Sequence, residues 1–449
     1  MLCGQGVGVY KSTFLCYKYR SLKRFIQKLE ANMSSNFWWK NAVIYEVYVD
    51  KFAKNFKSMV EKLPYLKNLG INCVWIPPHY PSPMIDDGYD VSDYLNVRTE
   101  LGTLGDFRDF TTKAHQMGIR VIVDLVLNHV SVEHPWFKER RDFFLWSKTG
   151  KEFPRAVNPF SHLKPSNWIL DKKTSEYYFA TFYPEQADLN WDNPEVFDEM
   201  IKVIDFWIAT GVDGFRLDAA PFLIKREGTM CVNLPETHAV LKKIRAHIEA
   251  KNPEVILLAE ANGPFERVVE YFGSGDECHM AFHFHLMSAM FLAIKRGDGS
   301  IVQKLIKNSL NIPDNCQWAT FLRNHDELTL DHVSPARRAE LLMWLDSENK
   351  YSFKGGYGAS VRLATIFKGD KNKILEAFKI LFSSPGSPII YYGDEIGMEN
   401  LQLSEKPADT RKYVRGVFDW QEAEKQLNDP DSLISHIKNL LQERKKSKI

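Results

Sequence analysis

The stretch Gly214-Phe215-Arg216-Leu217-Asp218 sets an arginine two residues before a carboxylate that closes a short apolar run. In a strand, positions two apart share a face, so both side chains emerge together. A nearby guanidinium favours the ionised carboxylate, and an ionised carboxylate can act as a nucleophile. A lone Arg-x-Asp serves equally well as a structural ion pair, so its meaning depends on its company. Other apolar runs also end in polar chemistry. Asn128-His129 follows residues 121–127, Glu260 closes 255–260, and Asn324-His325-Asp326 closes 320–326. Several ionisable groups ending separate strands at one face cost stability, which favours a functional reading. Two carboxylates facing one cavity are what glycosidic bond cleavage needs: one attacks the anomeric carbon and the other protonates the leaving oxygen. An Asp/Glu/His cluster can instead hold a divalent metal with an activated water. No HExxH-type spacing supports that, and Arg216 is an odd neighbour for a cation site.

The elements that must position these groups are legible in the spacing. Strand-like runs are expected at 42–49, 73–77, 121–127, 214–219, 255–260, 281–284, 320–326 and 388–393. Helical patterns lie between most of them, for example at 103–117, 195–209 and 236–250. Eight strands alternating with helices predict a parallel (β/α)8 TIM barrel. A doubly wound sheet would alternate in the same way, but no Gly-rich phosphate loop follows the first strand. In such barrels the chemistry sits at the C-terminal strand ends. Residues 33–129 and 191–449 are expected to form the barrel. Residues 130–190, rich in aromatics, prolines and turns, are expected to form an inserted subdomain over its mouth. A helix at 431–446 should close the chain. Residues 1–32, with six Lys or Arg and one acid, resemble a transit peptide or a start read too early at Met1 rather than Met33. They are expected to be poorly ordered.

Composition removes several classes. With 449 residues and 44% hydrophobic residues, the chain can bury a large core, and its net charge of +1 calls for neither nucleic acid nor an anionic membrane. No apolar run reaches the ~18 residues of a membrane span. The six cysteines are scattered, without CxxC pairs, and read as free thiols of a reducing, cytoplasmic compartment.

At these residues the chain resembles the α-amylase superfamily, family 13 of the glycoside hydrolases. The resemblance rests on Asp124-Leu125-Val126-Leu127-Asn128-His129, Gly214 to Asp218, Ala259-Glu260, Phe321-Leu322-Arg323-Asn324-His325-Asp326 and Gln186-Ala187-Asp188-Leu189-Asn190. It covers roughly residues 37–449. Within the superfamily, Tyr80-Pro81-Ser82-Pro83, Leu234-Pro235-Glu236-Thr237-His238 and the run from Gly275 to Phe284 are most similar to members that interconvert maltose and trehalose. The resemblance implies Asp218 as nucleophile, Glu260 as general acid/base and Asp326 as the group that holds ring hydroxyls in the transition state. It implies that Arg216 keeps Asp218 ionised, that His129 and His325 bond sugar hydroxyls, and that Tyr89 stacks under the ring. Asp90 is expected to close the pocket with Arg415 as its partner. The substrates implied are maltose, trehalose and short α-glucosides. Hydrolysis of short α-glucosides is the alternative, and a non-catalytic sugar-binding role the remote one.

The chain also departs from the family. Lys51-Phe52-Ala53-Lys54 stands where many relatives carry an Asp-rich calcium loop. A structural calcium on the counterparts of Asn128 and Asp188 is implied, although the chemistry requires no cofactor. Its third region reads Phe222-Leu223-Ile224-Lys225, and a lysine there either argues against the ion or replaces its charge. Gly263-Pro264-Phe265 stands where relatives have Gln-Trp-Pro, beside the acid/base. The C-terminal β-sandwich usual in the family is expected to be absent.

Overall fold

A computed structural model describes residues 37–447 of the chain; the expectation made for 1–32 lies outside them. The eight expected strands are present as β1 (Ile44–Glu46), β2 (Cys73–Ile76), β3 (Arg120–Val126), β4 (Gly214–Asp218), β5 (Ile256–Ala259), β6 (Met280–Phe282), β7 (Gln317–Phe321) and β8 (Ser387–Tyr391). They close into a parallel barrel in the order β1-β8-β7-β6-β5-β4-β3-β2, so neighbours in sequence are neighbours in the sheet. The predicted (β/α)8 architecture is therefore the observed one. Strand ends differ from the expected ones. The run expected at 320–326 is a strand at Gln317–Phe321, and Asn324, His325 and Asp326 lie in the loop beyond it. Barrel strands buried on both faces read as continuous apolar runs, so sequence does not mark where pairing stops.

The described residues form two compact units. One gathers residues 47–64 and 72–282 and contains β2 to β6. Its register aligns Asp124 with Arg216 and Val126 with Asp218 across β3 and β4, and Leu258 with Arg216 across β4 and β5. Gly214 opens β4 because a Cβ there would lie 2.5 Å from Ile256 Cγ1; only a residue without one lets the strands approach this closely. Helix Leu104–Gln116 starts at Thr103, whose hydroxyl and Asp106 form a capping box, and it buries Phe107, Phe110, Thr111 and Ala114 on one face. Helix Pro194–Ala209 starts at Asn193 with proline in its first turn and buries Met200, Val203, Ile204 and Trp207. Segment 130–190 contributes two small antiparallel sheets. His129–Ser131 pairs with Gln186–Asp188, and Glu176–Phe179 pairs with both Trp146–Ser147 and Trp168–Asp171.

The other unit gathers residues 37–46, 65–71 and 283–447, with β1, β7 and β8. Glu46 aligns with Tyr391 and Phe321 with Ile389. The closing helix is Leu433–Ser447, with Leu433, Ile434, Ile437 and Leu441 buried. A three-stranded sheet of Leu328–Thr329, Gly358–Ala359 and Ser352–Phe353 was not foreseen, because two-residue strands carry no readable periodicity. Cys73, Cys231, Cys278 and Cys316 are free buried thiols. No helix among the described residues is long and apolar enough to cross a membrane.

Candidate active site

In the first unit, the centre is the fully buried guanidinium of Arg216 on β4. Its Nη1 lies 2.6 Å from Asp124 Oδ1 and 2.8 Å from Asp218 Oδ1, and its Nη2 lies 2.9 Å from Glu260 Oε1. One cation thus bridges three carboxylates from three adjacent strands: Asp124 within β3, Asp218 at the end of β4 and Glu260 just past β5. Asp124 also accepts Trp75 Nε1–H at 3.1 Å and the Tyr89 hydroxyl at 3.2 Å. Glu260 is anchored a second time, because the backbone N–H of Ala219 donates to its Oε2 at 3.0 Å. Ala219 directly follows Asp218 and adopts φ 48, ψ 34, a left-handed conformation that costs a non-glycine residue energy. The turn that displays the nucleophile candidate therefore also aims a donor at the acid/base candidate.

The electrostatics set opposing influences on these acids. Burial pushes the Asp218 carboxyl well above the ordinary carboxylate range; Arg216 pulls it down, and Glu260, Asp124 and Asp86 push it up again. Asp124 is raised to about 6, again by burial, against the pull of Arg216. Arg216 was expected to hold Asp218 ionised. It does pull that carboxyl down, from 2.8 Å, while burial and the neighbouring acids oppose it.

Asp90 is also corrected. Its carboxylate accepts Ser82 Oγ–H at 2.9 Å, Ile85 N–H at 2.9 Å and Asp86 N–H at 3.1 Å. It is buried and braces its own loop, while the expected partner Arg415 pairs with Asp326. Asp86 is the acid of this loop whose charge reaches Asp218; its Oδ2 accepts Gln186 Nε2–H at 3.0 Å. Asp86 and Asp124 were missed as site residues. The readable signal was the Asp86-Asp87-Gly88-Tyr89-Asp90 turn, which offers three acids and does not say which one points inward.

His129 is buried, and its Nε2 has no hydrogen-bond partner. Burial lowers its pKa to about 4, so the ring is neutral at physiological pH and can serve a ligand hydroxyl. The Phe182 ring, from the inserted segment, lies 5.4 Å from it. Behind it, the Lys225 ammonium meets Asp188 Oδ2 at 2.6 Å, Asn128 Oδ1 at 2.9 Å and the Phe222 carbonyl at 2.5 Å. These oxygens are of the type a calcium ion selects. A buried lysine already satisfies them with its three donors, and its charge would oppose a divalent ion. As they stand, Asn128 and Asp188 do not fit calcium. The His283-Phe284-His285 pair is no metal site either. His283 is used by Ser309 Oγ at 2.7 Å and by the Leu286 N–H at 3.2 Å, and no group of three His, Cys, Asp or Glu among the described residues could hold a metal.

In the second unit the balance is reversed. Asp326 Oδ1 lies 3.0 Å from Arg415 Nη2 and 3.1 Å from Arg411 Nη1, and its Oδ2 lies 3.2 Å from His325 Nε2. His325 is oriented by Glu46, whose Oε1 is 2.5 Å from the ring Nδ1 and 3.1 Å from the backbone N–H. Arg411 was not foreseen. Asp409 holds it through a 2.7 Å pair, and the same short helix supplies Arg415 just beyond its end. In the sequence both arginines stand in a loop without periodicity, and only their packing against Asp326 distinguishes them from surface cations.

With acids from adjacent barrel strands gathered on one buried arginine, the chain belongs to the α-amylase family, whose catalytic domain matches residues 47–338. More particularly, the chain is 45% identical over 380 residues to the trehalose synthase/amylase TreS of Mycobacterium tuberculosis, covering 80% of this chain and 63% of that protein. It is 43% identical over 401 residues to the trehalose synthase of Thermus thermophilus, covering 86% of this chain and 41% of that protein. The chain therefore matches about two thirds or less of these relatives' length. Among solved structures, the trehalose-6-phosphate hydrolase TreA of Bacillus licheniformis superposes with a TM-score of 0.69 at 26% identity, covering 92% of this chain and 84% of that one.

Proposed function

We propose that the chain is a retaining α-glucosyl transferase that interconverts maltose and trehalose. The observation that carries this is the single Arg216 guanidinium bridging Asp218 and Glu260, in a chain 43–45% identical to trehalose synthases. Asp218 attacks the anomeric carbon of the bound glucosyl unit. The glycosidic C–O bond breaks as Glu260 gives its proton to the leaving oxygen. The released glucose stays, turns, and attacks again through its anomeric hydroxyl. Glu260 takes that proton back and the bond to Asp218 breaks. Asp218 attacks in its ionised form, which the Arg216 guanidinium at 2.8 Å favours, and the proton consumed is the one Glu260 carries. Asp326, held by two arginines, takes the ring hydroxyls, and His129 and His325 bond others. Tyr89 lies under the ring, and Asp86 takes the pocket-closing role first assigned to Asp90. The inserted segment acts as the lid that keeps water from the intermediate.

Hydrolysis uses the same acids, so products decide between the two. Incubation with maltose should yield trehalose as the main product, with less glucose, resolved by anion-exchange chromatography. Glucose without trehalose would make the chain an α-glucosidase. In this reading Lys225 replaces calcium, and a chelator should leave both turnover and thermal unfolding unchanged. A melting temperature that falls in EDTA and returns with calcium would show an ion bound after all.

A further inference from the structure

A second cavity lies wholly within the unit of residues 283–447, outside the acids described above. Its volume is about 270 Å³, room for one small metabolite and below the ~300–1,000 Å³ of sites for larger ligands. Two helices build it with the same spacing. Phe284–Arg296 contributes His285, Ser288, Ala289 and Leu292, and Ser300–Ser309 contributes Ile301, Lys304, Leu305 and Asn308. Positions i, i+3, i+4 and i+7 share one helical face, so each helix turns one whole face to the cavity. The third wall is His332, Val333, Ser334 and Arg337, at the start of helix Pro335–Leu345.

The chemistry of this lining is one-sided. It contains Lys304, Arg337 and two histidines and no aspartate or glutamate. Neither Lys304 nor Arg337 forms a short ion pair or hydrogen bond with a described residue; Glu340, one turn along the same helix, is the acid that feels Arg337. The His285 and His332 rings stack with centroids 5.0 Å apart, and His332 Nε2 is buried without a hydrogen-bond partner. Asp331, next to His332, is exposed, and its carboxylate accepts the Thr329 hydroxyl at 3.1 Å. The Ser334 side chain caps no backbone N–H of the helix it precedes. Ala289 and Leu292, both buried, line the apolar side of the cavity. A neutral sugar site is built instead from carboxylate and amide acceptors with an aromatic platform. This cavity offers two cations together with imidazole, amide and hydroxyl groups, and no carboxylate, beside an apolar wall.

We propose that this cavity binds a phosphorylated sugar, its phosphate held by Lys304, Arg337 and the His332 imidazole and the carbon face of its ring against Leu292 and Leu305. Charge-assisted bonds to phosphate are the strong kind, and Arg adds a forked geometry. The ligand acts as an effector, because none of these residues belongs to the catalytic machinery.

The test titrates the full chain by calorimetry with glucose 6-phosphate and, separately, inorganic phosphate, at constant ionic strength. One equivalent of glucose 6-phosphate should bind, at least tenfold more tightly than phosphate. Lys304→Glu and Arg337→Glu together should weaken it by at least a hundredfold while turnover of maltose without effector stays unchanged. Both residues are exposed, so folding should survive; Lys304→Gln alone should weaken binding about tenfold. Undiminished affinity in the double variant would place the ligand elsewhere and overturn the proposal, as would no binding at millimolar concentration. Phosphate binding as tightly as the sugar phosphate would remove the sugar from it. Each outcome is read as binding, so it stands apart from whether maltose yields trehalose.

Discussion

Arg216 and Asp326 are centres of opposite arithmetic. Around Arg216, one guanidinium serves three carboxylates. Around Asp326, two guanidiniums and an imidazole serve one carboxylate. In the first arrangement the acids compete for one charge; burial raises Asp124 to about 6 and raises Asp218 as well, against the pull of Arg216. The second pins a carboxylate in one place with its charge matched. Glycosyl transfer needs both behaviours: a site where a proton moves and a site where a charge stays fixed while hydroxyls are gripped. The contrast explains why the arginines cannot be exchanged. A second cation near Arg216 would end that competition, and one cation fewer near Asp326 would loosen the grip.

The largest effects test that division. Asp218→Asn and Glu260→Gln should each lower maltose turnover by about 10⁴-fold or more, as loss of a member of a catalytic unit does. They should then part ways. With α-glucosyl fluoride, whose leaving group needs little protonation, Glu260→Gln should recover much of the first step and Asp218→Asn none. Asp326→Asn should cost about 10²–10³-fold, the scale of a lost preorganised electrostatic contact. Arg411→Ala should cost less than that, since Arg415 and His325 remain on Asp326. Undiminished turnover in Asp218→Asn would return the chain to a sugar-binding role. Equal losses in Asp326→Asn and Arg411→Ala would show that Arg411 alone fixes Asp326.

Much of this was legible in the residues themselves. The eight apolar runs and the acids that close them are encoded locally, by periodicity and by position relative to strand ends. Arg216 and Asp218 could be paired on paper because two-residue spacing on a strand leaves no choice of face. Asp90 could not be placed. In a turn, side-chain direction follows from backbone dihedrals and from which N–H groups need an acceptor, and Asp90 turned to Ser82 and to residues 85 and 86. Arg411 was hidden for the same reason, in a loop whose partner lies 85 residues away in the chain. The shift of Asp218 was hidden for another. Its sign depends on how many carboxylates share Arg216, and Asp124 was read as part of a motif without being counted as a charge.

The smallest effect separates the acid cluster from the rest of the barrel through pH. His79 is fully buried beside Phe107, whose ring is stacked at 5.1 Å, and Trp207, edge-on at 4.5 Å. Neither ring nitrogen has a hydrogen-bond partner, and burial lowers its pKa to about 3. Its folded value lies below its unfolded value of about 6.5, so its stabilising share is complete above pH 6.5 and is lost as the pH falls toward 3. From pH 7 to pH 5 that loss is about 2 kcal/mol. Asp124 runs the other way: its folded value lies above the unfolded one, so its share is present at low pH and is lost as the pH rises through about 6. In the wild type the two slopes partly cancel between pH 4 and 6.5. His79→Phe keeps the stacked ring and breaks no hydrogen bond, so it should stay folded at pH 7. In denaturant titrations it should lose about 2 kcal/mol less than the wild type between pH 7 and pH 5. The other buried histidines, His129, His134 and His283, keep their own loss on acidification, so the variant should still lose stability, by less than the wild type. A variant with the same pH dependence as the wild type would mean that His79 is protonated in the folded barrel.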